Sequence, residues 1–213
     1  LLSSRPVFWY YTGNNVKGMS EEIKKTAHIH LKLKFCVSGA AETGHCAPDA
    51  LEKTKTLGAE IIHQKGVLVT GATTGAPYWA AIGAKDAGGF VIGVSPAASE
   101  REHVKKYKLP IDYHDVIIYT GFGYSGRNLL LTRASDAVLF TCGRMGTLNE
   151  FTIAFEDNKP MGVLTGTGGI AEEMREILEE AHRGMGKVVF DSDPKVLVEK
   201  VIALIKKEKI VEI

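Results

Sequence analysis

Seven short, almost uninterrupted runs of aliphatic and β-branched residues, each closed by a glycine or turn cluster and followed by a longer stretch with helical spacing, constrain this chain most. They are Lys34 to Ser38, Val67 to Thr70, Phe90 to Ser95, Val116 to Thr120, Ala137 to Thr141, Met161 to Thr165 and Lys187 to Phe190. A strand with one wet face alternates apolar and polar residues, whereas a strand covered on both faces does not. The runs therefore predict parallel strands between layers of helices. The intervening spacing predicts helices over 48–64, 76–87, 98–107, 126–135, 147–157, 170–182 and 194–208, with Pro77 and Pro194 near first turns, where a missing N–H costs nothing. Strand alternating with helix in this way predicts an α/β fold: a Rossmann-like, doubly wound, mainly parallel sheet of about seven strands in a three-layer αβα sandwich.

Residues 1–30 do not follow this rhythm. They hold the aromatic cluster Phe8-Trp9-Tyr10-Tyr11, the turn Gly13-Asn14-Asn15 and a short polar helical stretch from Ser20 to Ala27. They read as an arm appended to a domain over 31–213, its aromatics packing either on that domain or on a neighbouring subunit.

Charge narrows the partners. With 26 Lys+Arg against 25 Asp+Glu there is no basic excess to release counterions from a nucleic-acid backbone, so nucleic acid is not an expected partner. No apolar stretch approaches the roughly 18–20 residues of a membrane span, and Leu1 to Pro6 have neither the charged start nor the apolar run of a signal peptide. Cys36, Cys46 and Cys142 form no C-x-x-C pair, and an odd, scattered set suggests a reducing compartment, hence the cytoplasm.

Glycine is in surplus, 23 of 213 residues against an average near 7%, and the surplus has a location. Gly39 and Gly44 follow the first run, Gly71 and Gly75 the second, Gly121, Gly123 and Gly126 the fourth, Gly143 and Gly146 the fifth, and Gly166, Gly168 and Gly169 the sixth. In an open α/β sheet the carboxyl ends of the strands bind ligands, and glycine loops that open helices offer backbone N–H groups to a phosphate. The expected phosphate or nucleotide contacts are Gly39, Ala40, Gly71, Thr73, Thr74, Gly121, Arg127, Asn128, Gly143, Arg144, Met145, Gly146 and Thr147. Two readings compete at Thr147-Leu148-Asn149-Glu150: an anion-binding helix start, or a capping box in which Thr147 and Glu150 satisfy their own helix. Gly121-Phe122-Gly123-Tyr124-Ser125-Gly126 matches G-x-G-x-x-G, but the acidic residue that should follow the next strand is absent, so a dinucleotide is disfavoured.

Gly143-x-x-Gly146-Thr147-x-x-Glu150 resembles the P-G-G-x-G-T-x-x-E motif of the Lonely Guy (LOG) proteins. Gly39 to Gly44, Thr70 to Gly75 and Ala87 to Pro96 resemble further loops and the third strand of that family. The resemblance implies a Rossmann-like fold, a homodimer or higher homo-oligomer, and hydrolysis of the N-glycosidic bond of nucleoside 5′-monophosphates, not lysine decarboxylation. Gly126-Arg127-Asn128 with Ser135-Asp136-Ala137-Val138 resembles a sister branch that includes molybdenum cofactor carrier proteins, in a superfamily reaching the DNA-processing protein DprA. Active LOG enzymes carry a carboxylate where this chain has Gly126. Two functions stay open. In one, Arg127 and Glu150 are catalytic, Arg127 holding the 5′-phosphate and Glu150 stabilising the oxocarbenium-like charge or orienting water. In the other, a carrier or sensor binds a nucleotide or the molybdenum cofactor without turnover. No cofactor is required and no metal is expected; His45-Cys46 lacks a second ligand pair, Cys142 reads as a small turn residue, and His103 as part of a solvated helix face.

Overall fold

The computed structural model describes residues 31–207. The arm expected over residues 1–30 lies outside these, as does the last residue of the helix expected over 194–208.

The strands are β1 (Lys34–Ser38), β2 (Val67–Thr70), β3 (Val91–Ser95), β4 (Val116–Tyr119), β5 (Ala137–Phe140), β6 (Met161–Leu164) and β7 (Val188–Asp191). They form one sheet in the order β4-β3-β2-β1-β5-β6-β7, every neighbouring pair parallel. The helices are α1 (Ala50–His63), α2 (Ala76–Asp86), α3 (Glu100–Lys105), α4 (Gly123–Ala134), α5 (Met145–Glu156), α6 (Ile170–Glu180) and α7 (Pro194–Lys206). The expected α/β Rossmann-like sandwich is thus the fold observed.

Successive strand residues point to opposite faces, and that alternation sorts the core in two. Phe35, Val37, Leu68 and Leu139 meet α1, α2 and α7 through Leu57, Ile61, Ala80, Ala84, Leu197 and Val201. Cys36, Val69, Val138 and Phe140 meet α4, α5 and α6 through Leu131, Phe151, Ala154 and Met174, with the Phe140 and Phe151 rings edge to face. Apolar runs are what such a sheet demands, because both side-chain rows are dry. The α1 and α2 backbones approach so closely that a Cβ at Gly58 would lie 2.0 Å from the Ala80 carbonyl and one at Gly83 1.8 Å from that of Lys55. These two glycines serve helix packing rather than the loop edge where the surplus was expected.

β4 departs from the expectation of strands covered on both faces. It is one of the two edge strands, and Val116 and Ile118 are about half exposed; β7, the other edge, is only partly buried. Two helices also begin earlier than their spacing predicts, α4 at Gly123 instead of 126 and α5 at Met145 instead of 147. Both extend back into glycine loops, which places Arg127 in the second turn of α4 and Thr147 inside α5.

Candidate functional site

The chain runs from β1 toward one sheet edge and from β5 toward the other, so the switch point at which an open α/β sheet is expected to carry its ligand crevice lies at the carboxyl ends of β1 and β5. Loop 39–49 is held against β5 by the Ala40 N–H donating to the Cys142 carbonyl (2.7 Å), and against the start of α2 by the Ala76 N–H donating to the Ala40 carbonyl (2.9 Å). The loop after β6 joins them: the Ala47 N–H donates to the Thr167 carbonyl and the Ile170 N–H to the Gly143 carbonyl, both at 2.9 Å.

Arg127 and Glu150 are the charged groups at the centre. Arg127 projects from α4 to the β2 loop, where a Cβ on Gly71 would lie 1.5 Å from Nη1. Its residue is only 5% exposed, yet no hydrogen-bond acceptor or carboxylate partner meets its guanidinium among the described residues. The Tyr124 ring, 5.9 Å from Cζ, gives partial compensation. Ala72, next to Gly71 and fully buried, has φ +51°, a left-handed conformation that non-glycine residues rarely adopt and that marks local strain.

Glu150 is also buried. It accepts a short hydrogen bond from the Ser38 hydroxyl at the end of β1. With the Asn128 amide oriented to satisfy its neighbours, the Asn128 nitrogen donates to Glu150 Oε1 at 2.8 Å and to the Tyr124 carbonyl at 3.0 Å. Burial raises the Glu150 pKa above the ordinary carboxylate value, against the opposing pull of the Arg127 charge and the Ser38 hydrogen bond. Cys36, one position before Val37 on β1, is pushed well up by burial and by the Glu150 charge, so it stays a thiol.

The capping-box alternative at Thr147 and Glu150 is not the one realised. Residue Arg144 is the cap of α5 without a side-chain cap bond, Thr147 is the third helical residue, and Glu150 turns to Ser38 and Asn128 instead. The N–H groups of Met145, Gly146 and Thr147 have no acceptor among the described residues, and Gly146 borders open space. Gly143 is obligatory for packing, since a Cβ there would lie 2.4 Å from a Thr147 methyl.

The other expected contacts divide by what already occupies them. The Ala40 N–H is taken by Cys142, the Gly121 N–H by the Ala97 carbonyl, and the Thr74 hydroxyl by the Ala41 carbonyl. A Cβ on Gly39 would lie 2.6 Å from Thr141 Oγ1, so that residue is fixed by packing. Thr73 is buried. Arg144 is exposed and ion-paired to Glu42 at 2.6 Å.

Two sequence readings require correction. His103 does not lie on a solvated face: it is fully buried, its Nε2–H donates to the Pro110 carbonyl (3.0 Å), and its Nδ1 accepts from the Ser95 hydroxyl (2.8 Å). The flanking Glu100 and Glu102 make α3 look wet, but the inward side of a single turn is dry. Cys46 and Cys142 form a disulfide, 5.6 Å between Cα atoms and 96 residues apart. The inference of a reducing compartment rested on unpaired cysteines and loses that footing. Sequence reading also missed Ser38, whose signal was its place at the carboxyl end of the strand beside the crevice, and His114. The His114 Nδ1–H donates to the Asp112 carbonyl and its Nε2 accepts from Thr70 (both 2.8 Å), while burial lowers its pKa. No helix among the described residues is long and apolar enough to cross a membrane.

The chain is similar to known proteins in sequence and in fold. An uncharacterized protein of Archaeoglobus fulgidus is 31% identical over 133 residues, 62% of this chain and 82% of that protein. The solved molybdenum cofactor binding protein of Rippkaea orientalis is 29% identical with a TM-score of 0.63, over 84% of this chain and 98% of that one. The molybdenum cofactor carrier protein of Chlamydomonas reinhardtii is 28% identical with a TM-score of 0.61, over 83% and 98%. Residues 32–198, which include every element of the crevice, match the model of the SLOG cluster4 family, and the chain belongs to that family.

Proposed function

We propose that this protein binds a phosphorylated, nucleotide-like or pterin-like small molecule at the β1/β5 crevice and carries it without turnover. The observation that carries the reading is Arg127, a residue only 5% exposed whose guanidinium meets no acceptor among the described residues. A largely desolvated guanidinium without an acceptor is held at a cost, and an anionic ligand offsets that cost when it arrives. A phosphate suits the site: the guanidinium matches two of its oxygens, Gly71 leaves the guanidinium room, and the N–H groups of Met145, Gly146 and Thr147 stand at the positive end of α5. The names of the Rippkaea and Chlamydomonas proteins favour the molybdenum cofactor, an anionic pterin phosphate, as cargo. The balanced charge of the chain keeps nucleic acid out of the proposal. A homodimer remains part of it, supported by the exposed apolar residues Val116, Ile118 and Phe122 along the β4 edge.

Glu150 favours a second reading, nucleotide N-glycosidase activity, because a buried carboxyl whose pKa is raised by desolvation is the kind of group that general acid–base catalysis uses. Against it, Glu150 is engaged by Ser38 and Asn128, and Gly126 faces Phe122 where active LOG enzymes carry a second carboxylate. Native mass spectrometry of freshly purified protein tests the first reading: a retained phosphorylated ligand, lost in Arg127→Ala, is the expected result. Its absence, with no calorimetric heat from any phosphorylated probe, overturns binding. Incubation with AMP separates the readings, since adenine released by wild type and not by Glu150→Ala establishes the hydrolase.

A further inference from the structure

The cystine lies where three loops meet. Cys46 belongs to the loop after β1, Cys142 directly follows the Thr141 that ends the β5 run, and the loop after β6 bridges to both through the Cys46–Gly168 and Gly143–Gly169 pairs. His45 stands beside it: its Nε2 is 3.6 Å from Cys142 Sγ and 3.3 Å from the Gly143 carbonyl. The His45 nitrogen and the two sulfurs all lie within 4.8 Å of one another. Two thiolates and an imidazole are a complete soft-metal donor set, and zinc sites with three protein ligands leave a fourth position to water or a small ligand. In a tetrahedral site with Zn–S near 2.3 Å and Zn–N near 2.0 Å, sulfur and nitrogen donors stand about 3.5–3.8 Å apart. The His45–Cys142 separation already matches that spacing, and the two sulfurs part when the cystine is reduced.

We propose that His45, Cys46 and Cys142 form a binding site for a thiophilic divalent cation, closed while the cystine is intact and opened by reduction. The steps balance. A dithiol transfers two electrons and two protons to the cystine, breaking the S–S bond and leaving two cysteine thiols and an oxidised dithiol. The cation then takes both sulfurs and the His45 nitrogen, releasing the two thiol protons. Cystine and metal are alternative staples for the same loops, one next to the Gly143 that opens the candidate phosphate loop. The site is independent of the proposed function, since neither Arg127 nor Glu150 supplies a ligand.

Cobalt(II) is the probe, because thiolate ligation gives it a near-ultraviolet charge-transfer band and tetrahedral geometry an intense visible spectrum. The full-length protein is reduced with a dithiol, freed of it under inert gas, and titrated. The expected result is one cobalt per chain with both signatures, displaced by zinc. The oxidised protein takes none, Cys36→Ser keeps the site, and His45→Ala weakens it at least tenfold. His45 is exposed, so that variant folds even if Cys46→Ser or Cys142→Ser does not. Zinc also raises the melting temperature of the reduced wild type and not that of His45→Ala. The proposal is overturned if reduced wild type shows no thiolate band, if His45→Ala binds as tightly as wild type, or if Cys36→Ser abolishes binding.

Discussion

A methyl group at position 71 tests the anion site without touching its charge. Gly71 has an ordinary backbone conformation, so Ala is allowed there. Its Cβ would lie 1.5 Å from Arg127 Nη1, 2.6 Å from Cζ and 3.0 Å from Nη2, and no other group is among its nearest neighbours. The obstructed atoms are the far end of a flexible side chain, so Gly71→Ala displaces the guanidinium and spares the fold. Losing one glycine from the unfolded chain stabilises by about 0.4–1 kcal/mol, which offsets the rotamer strain and keeps the melting temperature within a few degrees. Binding behaves differently. Hydrogen bonds to a charged group contribute about 1.5–3 kcal/mol, and each 1.4 kcal/mol is about tenfold, so affinity for a phosphorylated ligand falls roughly 10- to 100-fold. Calorimetry with AMP at fixed salt, on wild type, Gly71→Ala, Arg127→Ala and the double variant, reads this out. Because the methyl acts only through Arg127, the double variant binds no worse than Arg127→Ala. Additive losses, or unchanged affinity in Gly71→Ala, would refute the assignment of Arg127 as the ligand's counter-ion.

Glu150→Gln tests the buried carboxyl. Its folded pKa is raised above the ordinary value of 4.5, so the folded state binds more protons than the unfolded one as pH climbs past that value, and stability falls until the folded pKa is passed. The variant lacks this titration, so its melting temperature relative to wild type rises between pH 4 and neutral pH; a melting difference that does not grow with pH sinks this reading. Cleaving the Cys46–Cys142 disulfide in the presence of a chelator removes a cross-link spanning 96 residues. It should lower stability by about 4–5 kcal/mol, or roughly 10 °C, in thermal melts, and an unchanged melt means the loops do not need the staple. Ile118→Glu, on the exposed face of edge strand β4, should shift the proposed homodimer to monomer in sedimentation velocity; a wild type that is already monomeric, or a variant that stays dimeric, refutes an interface at β4.

Sequence showed the layers because the two dry faces of a parallel sheet force uninterrupted apolar runs, here seven of them in alternation with helices. It could not show which strand ends the sheet. Val116-Ile117-Ile118-Tyr119 is as apolar as Ala137-Val138-Leu139-Phe140, yet the first is the half-exposed β4 and the second a fully buried central strand. The difference lies in strand order, which local pattern does not encode.

The same limit separates what was legible in the site from what was not. Gly143, Gly146 and Thr147 lie within one loop and helix start, and Arg127 follows its own glycine run, so spacing alone marks them. Ser38 and Glu150 are 112 residues apart and Cys46 and Cys142 are 96 apart. Both pairs exist because β5 lies directly against β1, with Val37 opposite Leu139 and Ser38 opposite Phe140. That adjacency also explains why the local reading of Thr147 and Glu150 as a capping box fails. A capping box offers Glu150 one solvent-exposed N–H of its own helix, whereas the neighbouring strand offers a buried hydroxyl and Asn128 a buried amide. A carboxylate already committed to burial is stabilised more by partners that are themselves buried, where hydrogen bonds are electrostatically stronger. The long-range partners therefore take Glu150, and the N–H groups of Met145, Gly146 and Thr147 at the start of α5 are left without an acceptor among the described residues.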